Sequence, residues 1–233
     1  MSLFRSVSLT CPACGTAQAF EAVLSVNADR RPDLRQAIVD DDFQRVSCSN
    51  CAQELRLDPD FTLLDQERGL WVAAQPLVQL AHWQGQEQAA RAMFDEAYGS
   101  GASRGAQAIG AKLRPRTTFG WAAIREKLFI ADQSLDDTTV ELLKMATLRS
   151  GAPAPIARDT ELRLVDVQGE DLVLAWLLST DQSVDSTLSV ARSLYDDIAA
   201  DSEGAWAPLR EKVGAGLFVD FNRLLLPQTA GPG

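Results

Sequence analysis

SLTCPACGTAQAFEAVLSVNADRRPDLRQAIVDDDFQRVSCSNC, residues 8–51, holds every cysteine of the 233-residue chain. The four fall into two pairs, Cys11-Pro12-Ala13-Cys14 and Cys48-Ser49-Asn50-Cys51, with 33 residues between the pairs. Two residues between thiols let both sulfurs point into one small volume while the intervening backbone amides face them. Tetrahedral zinc, with Zn–S distances of about 2.3 Å, requires that geometry. Gly15 suits the turn after the first pair, which needs a residue tolerant of positive φ, whereas Ala52 follows the second pair. The pattern predicts one structural zinc ion per chain, held by Cys11, Cys14, Cys48 and Cys51. Four thiolates fill its coordination sphere and leave no position for an activated water. Three other chemistries compete for the same residues. A thioredoxin-like dithiol at Cys11/Cys14 would leave the second pair without a role. Two disulfides would be superfluous in a chain of this size that opens without an apolar leader. An iron–sulfur cluster is the third.

Working outward, Phe20, Ala22, Leu24 and Val26 repeat with a period of two and predict a strand leaving the first cysteine pair. Pro32 suits a first helical position and Asp33 a first turn, so a short helix is expected from Pro32 to about Asp40, with Leu34, Ala37 and Ile38 on one face. Phe43 to Ser47 returns as a strand. A further strand containing Leu55 and Leu57 follows Cys51, and Phe61–Leu64 and Leu70–Ala74 flank a turn at residues 65–69.

The run SLTCPACG, the segment SVNADRRPDLRQAIVDDDFQRVSCSNC and the following DPDFTLLDQERGLWV resemble the CpXC family of bacterial and archaeal proteins over roughly residues 6–75. Cys11-Pro12-Ala13-Cys14 is a direct match to the motif that names the family, and the second pair departs from it only by Ser49 where the first has Pro12. The resemblance implies a zinc-ribbon-like module with Cys11, Cys14, Cys48 and Cys51 as metal ligands. It implies no particular biochemical activity.

From Pro76 onward the apolar spacing lengthens. A helix is expected over about Leu77–Tyr98, with Trp83, Ala90 and Phe94 near one face, followed by a loop over 99–110. Gly99, Gly101 and Gly105 lack both the spacing and the preceding strand of a dinucleotide-binding loop. Two helices, about Phe119–Ala131 and from a capping box at Ser134–Asp137 to Leu148, form a helix–turn–helix pair. The second is apolar over two stripes, which reads as core packing and not as a DNA-reading surface. Gly151–Pro155 is the candidate linker, and Leu162–Val167 with Leu172–Leu178 read as a hairpin whose second arm is buried on both faces. Val184, Leu188, Ala191, Leu194 and Ile198 predict a helix, Trp206–Leu209 can open another, Leu217–Leu226 is an apolar strip, and the tail 228–233 reads as frayed.

Composition sets the limits of function. With 46% apolar and 23% charged residues, the chain matches ordinary globular proteins and excludes collagen, coiled coil and wholesale disorder. Leu172–Leu178 is far short of the roughly 20 apolar residues a bilayer-spanning helix needs, so a cytoplasmic protein with no membrane association is expected. The formal charge of −10 opposes general affinity for a phosphate backbone. Residues 1–75 carry 7 basic and 11 acidic groups, residues 76–155 carry 9 and 8, and residues 156–233 carry 6 and 13. Lys112, Arg114 and Arg116 are the best local exception and read as a solvated loop. His82 is the sole histidine and reads as structural or surface, leaving no base for a Ser or Cys nucleophile. The adjacent carboxylates Asp41/Asp42, Asp136/Asp137 and Asp196/Asp197 read as solvated faces.

The expected fold is α+β. Residues 1–75 form a zinc-ribbon-like β module with an inserted helix. Residues 76–227 form a mainly helical region with a hairpin near 161–178, and 228–233 a flexible tail. The expected function is a zinc-binding protein-interaction or adaptor module, without a catalytic site and with another protein as partner. A thiol-based redox or zinc-responsive sensor is the alternative, and nucleic-acid binding is a third.

Overall fold

The computed structural model describes residues 2–151, 160–179, 181–201 and 203–227. The chain is mixed α+β and divides into two compact units. The first comprises Met1–Leu80 and Ala89–Trp121, the second Ala81–Gln88 and Ala122–Gly233.

The first unit is built on a five-stranded sheet in the order β1-β2-β5-β6-β7: β1 (Leu3–Thr10), β2 (Ala17–Asn27), β5 (Phe61–Asp65), β6 (Leu70–Gln75) and β7 (Arg114–Phe119). β1 and β2 are antiparallel, as are β5 and β6, while β2–β5 and β6–β7 are parallel pairs. A parallel neighbour demands a crossover. Helix α1 (Pro32–Val39) and a small hairpin, β3 (Arg45–Ser47) with β4 (Glu54–Arg56), connect β2 to β5. A 3-10 turn (Leu77–His82), helix α2 (Trp83–Tyr98) and helix α3 (Arg104–Gly110) lie between β6 and β7. Buried Phe43, Phe61 and Trp121 meet with ring centroids 5.2–5.9 Å apart. Trp121 Nε1 donates to the Leu57 carbonyl at 3.1 Å, and the Arg56 guanidinium lies 4.0 Å over the same indole. These contacts fix the end of β4 against the core of this unit. Arg35 on α1 pairs with the almost fully buried Asp65 of β5 at 2.7 Å.

In the second unit, helices α4 (Trp121–Asp132) and α5 (Asp137–Arg149) precede a three-stranded antiparallel sheet in the order β10-β9-β8: β8 (Thr160–Gln168), β9 (Asp171–Leu178) and β10 (Val184–Ala191). Helices α6 (Arg192–Ala200) and α7 (Ala207–Gly214) and a 3-10 turn (Phe221–Leu224) complete it. The continuous apolar run of β9 suits its central place, where Leu172 through Leu177 are all buried. Leu142, Leu143, Leu162, Leu164, Leu172, Leu174, Ile198 and Val219 belong to one core.

Several expectations change. The helix expected over 184–198 is a strand to Ala191 and a helix only from Arg192. Val184, Leu188 and Val190 are also in step with a period of two, and a run rich in β-branched residues and serine pairs along β9. The hairpin near 161–178 therefore gains a third strand. Arg114 and Arg116 lie on strand β7, not in a solvated loop, because β6 offers a parallel register from Leu70↔Arg114 to Gln75↔Phe119. Residues 104–110 of the expected glycine-rich loop are helical, opened by Ser103, whose hydroxyl accepts from Ala106 N. The cap of α5 is Asp136, accepting from Thr139 N at 2.8 Å, and not Ser134, whose φ is +53°. Residues 152–155 of the candidate linker and the tail 228–233 lie outside the described residues.

Candidate metal centre

Each cysteine pair sits at the turn of a hairpin. β1 ends at Thr10 and β2 begins at Ala17, so Cys11 and Cys14 lie in the turn between them. Cys48 and Cys51 lie in the turn between β3 and β4. The two turns repeat the same backbone hydrogen bonds. Gly15 N donates to Cys11 O and Ala52 N to Cys48 O, both at 2.9 Å. Cys11 N donates to Thr16 O at 2.9 Å and Cys48 N to Gln53 O at 2.8 Å. Gly15 and Ala52 are both left-handed, with φ of +73° and +57°. The glycine takes that conformation freely, while the alanine is held in it by the turn.

The geometry brings all four predicted residues together. Cys11 Sγ lies 3.6 Å from Cys51 Sγ, Cys14 Sγ lies 3.6 Å from Cys48 Sγ, and the four sulfurs are all within 4.8 Å of one another. A tetrahedron with metal–sulfur bonds of about 2.3 Å has edges of about 3.8 Å, so the donor set fits a four-thiolate metal site. The contacts also run between the turns, so an ion held here would tie hairpin to hairpin.

Thiols crowded this closely cannot all ionise without a cation. The Thr16 hydroxyl, 3.3 Å from Cys14 Sγ, together with Thr16 N–H and Asn50, pulls the Cys14 thiol down to about 5. Backbone amides of Asn50 and Cys51 lower Cys48. At Cys51 a backbone bond from Gln53 acts downward, but the neighbouring thiols and burial outweigh it and the group is pushed up to about 12. A divalent cation removes this conflict, because each thiolate is then stabilised by the ion. Cys11 and Cys48 are buried, at 1% and 3% exposure, while Cys14 and Cys51 face solvent.

Polar contacts that motif reading missed brace the second cysteine turn and its hairpin. The Gln18 amide on β2 donates to Ser47 O at 3.2 Å and accepts from Ser49 N at 2.8 Å, clamping the second turn to the first hairpin. Asp41 pairs with Arg45 at 2.6 Å and Arg56 at 2.8 Å, and Arg45 also pairs with Glu54. Asp41 thus braces the short hairpin instead of forming a merely solvated face.

A second polar cluster lies in the other unit. Glu126, Lys127, Asp137, Glu141, Lys144, Glu161, Arg163 and Asp220 are all buried, none more than 9% exposed. Lys144 bridges Glu126 at 2.7 Å and Glu141 at 2.9 Å. Arg163 binds Glu126, Glu161 and Asp220 at 2.5–3.0 Å, and Lys127 pairs with Asp137 at 3.2 Å. Asp137 is therefore no solvated carboxylate. Burial acts to raise Glu126 and Asp220, but Lys144 and Arg163 outweigh it, and Asp220 falls to about 2. The signal lay in charges placed inside otherwise apolar segments, as in VELLKM and ELRL. His82 and the Asp196/Asp197 pair are exposed.

Among the described residues no helix is long and apolar enough to cross a membrane. A family model described as CpXC protein matches residues 9–144. The match runs well past the first 75 residues, through β7 and α4 and into α5. No curated protein and no solved structure matches the chain.

Proposed function

The chain belongs to the CpXC protein family, and from that premise we propose that it is a metal-binding protein in which Cys11, Cys14, Cys48 and Cys51 hold one structural zinc ion. The ion stiffens the two hairpins into a module that recognises another protein. The observation that carries the metal reading is the convergence of four sulfurs from two hairpin turns within 4.8 Å. Four thiolates complete the coordination sphere, so the ion contributes folding free energy and activates no water. The acidic charge of −10 favours a protein partner over nucleic acid.

Elemental analysis of protein purified without added metal, with thiols counted before and after denaturation in chelator, tests the metal site. The expected result is one zinc per chain and four thiols that react only after denaturation. Oxidised thiols without metal, or iron with visible absorbance, would overturn it. Partner recognition is tested by affinity capture with wild type and Cys48→Ser. Capture that is indifferent to the loss of the site would detach the metal from binding.

The exposure of Cys14 and Cys51 favours a second reading, a thiol-based redox or zinc-responsive sensor, in which oxidation expels the ion and frees the hairpins. Zinc retained with four reduced thiols under mild peroxide would dispose of that reading.

A further inference from the structure

A strand at the edge of a sheet leaves half of its main-chain donors and acceptors without a ladder, and folded proteins protect such edges. Among the described residues the two larger sheets end on β1, β7, β8 and β10. On β7, Pro115 sits between Arg114 and Arg116. On β8, Leu164 N donates to the buried Glu126 carboxylate at 2.6 Å. β10 is bulged at its charged residue, Asp185. β1 has none of these devices. LFRSVSLT contains no proline and one charge, Arg5, and the irregularity in its ladder falls on β2, at Leu24.

The hydrogen bonds fix which groups of β1 face outward. Cys11 N donates to Thr16 O at 2.9 Å, and this pair continues the register that runs from Phe4↔Val23 to Thr10↔Ala17. Directly opposed residues alternate between hydrogen-bonded and open pairs. Arg5, Val7 and Leu9 therefore bond to β2, while Phe4, Ser6, Ser8 and Thr10 turn N–H and C=O to the open edge. Val23, opposite Phe4, agrees with this phase, since its N–H points the other way and reaches Gln44 Oε1 at 3.0 Å. β2 is backed by β5 only at Ser25, Val26 and Asn27. Residues 3–10 and 17–23 thus form a two-stranded ribbon, braced by the Gln18 and Gln44 side chains but by no third strand, and such a ribbon is marginal by itself. Phe4 is 48% exposed, and Ser6, Ser8 and Thr10 are exposed with it.

We propose that β1 pairs with β1 of a second copy of this chain, antiparallel and centred on Val7, joining the two five-stranded sheets into one. β1 is its own complement. A two-fold axis normal to the sheet keeps every side chain on its own face, so even-numbered residues oppose even-numbered ones and the outward groups of the two strands meet. Of the two central registers, the one centred on Ser6 sets the two Arg5 side chains on a cross-strand diagonal about 7–8 Å apart, where like charges repel. The register centred on Val7 separates them by about 14 Å. It opposes Phe4 to Thr10 and Ser6 to Ser8 of the second copy, and all four outward residues of each strand engage in about eight main-chain hydrogen bonds. It also completes an apolar row. Val7 faces Phe20 on β2, so Phe20 and Val7 of one copy continue into Val7 and Phe20 of the other across four adjacent strands. Each chain carries −10, but the pairing strand holds no carboxylate. The pairing goes beyond the protein partner proposed above and does not depend on it.

Sedimentation equilibrium of the full-length chain tests the pairing. The mass should rise toward twice the 25.3 kDa of one chain as concentration is raised through the micromolar range. Ser6→Pro should hold the mass at one chain with an unchanged circular dichroism spectrum, because proline removes an outward N–H that the β1–β2 ladder does not use. A second readout needs no variant and decides the matter should Ser6→Pro fail to fold. In the wild type, amide exchange at Phe4, Ser6, Ser8 and Thr10 should slow as concentration rises, while Arg5, Val7 and Leu9 keep the protection that β2 gives them. A single-chain mass throughout, a dimer that persists in folded Ser6→Pro, or a dimer whose four outward amides exchange freely overturns the proposal. A monomer whose outward amides become protected only when another protein is added assigns the edge to a foreign strand and overturns the self-pairing.

Discussion

Gly15 and Ala52 occupy equivalent left-handed positions in the two cysteine turns, and there an alanine carries a steric cost of about 1–2 kcal/mol that glycine escapes. Part of that advantage is returned as unfolded-chain entropy. Ala52→Gly should therefore stabilise the second turn by about 0.5–1 kcal/mol, whereas Gly15→Ala should destabilise the first, although the space around its Cβ is open. Competition against a chelator reads both changes. Gln18 touches no sulfur but hydrogen-bonds both sides of the second turn. Its replacement by alanine should weaken metal retention about tenfold or more, as losses of outer-shell support do, while the thiol count stays at four. In the other unit, Arg163→Ala leaves Glu126, Glu161 and Asp220 short of a cation. A buried pair broken on one side costs about 3–5 kcal/mol, so urea denaturation should show a loss of that order.

At the scale of elements, β3 and β4 have three residues each, too few for an independently stable hairpin. What holds them is the cysteine cluster, the Gln18 clamp, the Asp41–Arg45–Arg56 ion pairs and the seat of Arg56 on Trp121. Chelation, or Cys48→Ser, should therefore open residues 43–57 to protease, while exchange protection in β5 and β6 persists. Equal loss of protection in all of these would show that the ion supports the whole sheet. β10 offers a test of a different kind. As the edge strand beside β9, it should protect alternate amides over 184–191, where a helix would protect successive ones. The helical spacing of Val184, Leu188 and Ala191 was real but insufficient, because Val184, Leu188 and Val190 also serve a period of two and β9 was there to pair with them.

For the whole molecule, two buried carboxyls pull stability in opposite directions with pH. Asp220 is held at about 2 by Arg163 against its burial. Its contribution is present above its ordinary value of about 3.8 and is lost as pH falls through 2. Glu141 is raised to about 7, so its contribution is complete below about 4.5 and is lost as pH rises through 7. The second unit should accordingly be most stable near pH 4, losing the Glu141 contribution progressively between about pH 4.5 and 7, and its thermal midpoint should fall from pH 6 to pH 8.5 in the wild type but not in Glu141→Gln. The metal centre responds in the opposite sense at the acid end of that window, since protons compete with the ion for thiolates. Acidification should release metal, measured by chromophoric chelator, while the second unit stays folded.

The sequence by itself determined the four cysteines that converge, Cys11, Cys14, Cys48 and Cys51, the pairing of Phe61–Asp65 with Leu70–Gln75, helices α1, α4 and α5, and the buried central strand β9. Each is written in local spacing: two residues between thiols, alternation over a few residues, a proline at a helix start, an unbroken apolar run. Tertiary structure alone decided that β7 adds to the sheet beside β6, that residues 184–191 are a strand, that Gln18 clamps the second cysteine turn, and that eight charges lie buried together. Those outcomes depend on which segments the fold brings together, not on the spacing within any one of them. A charged side chain carries no local mark of the cation or carboxylate it will meet once burial has removed water, and a short apolar repeat carries none of the strand that will pair with it.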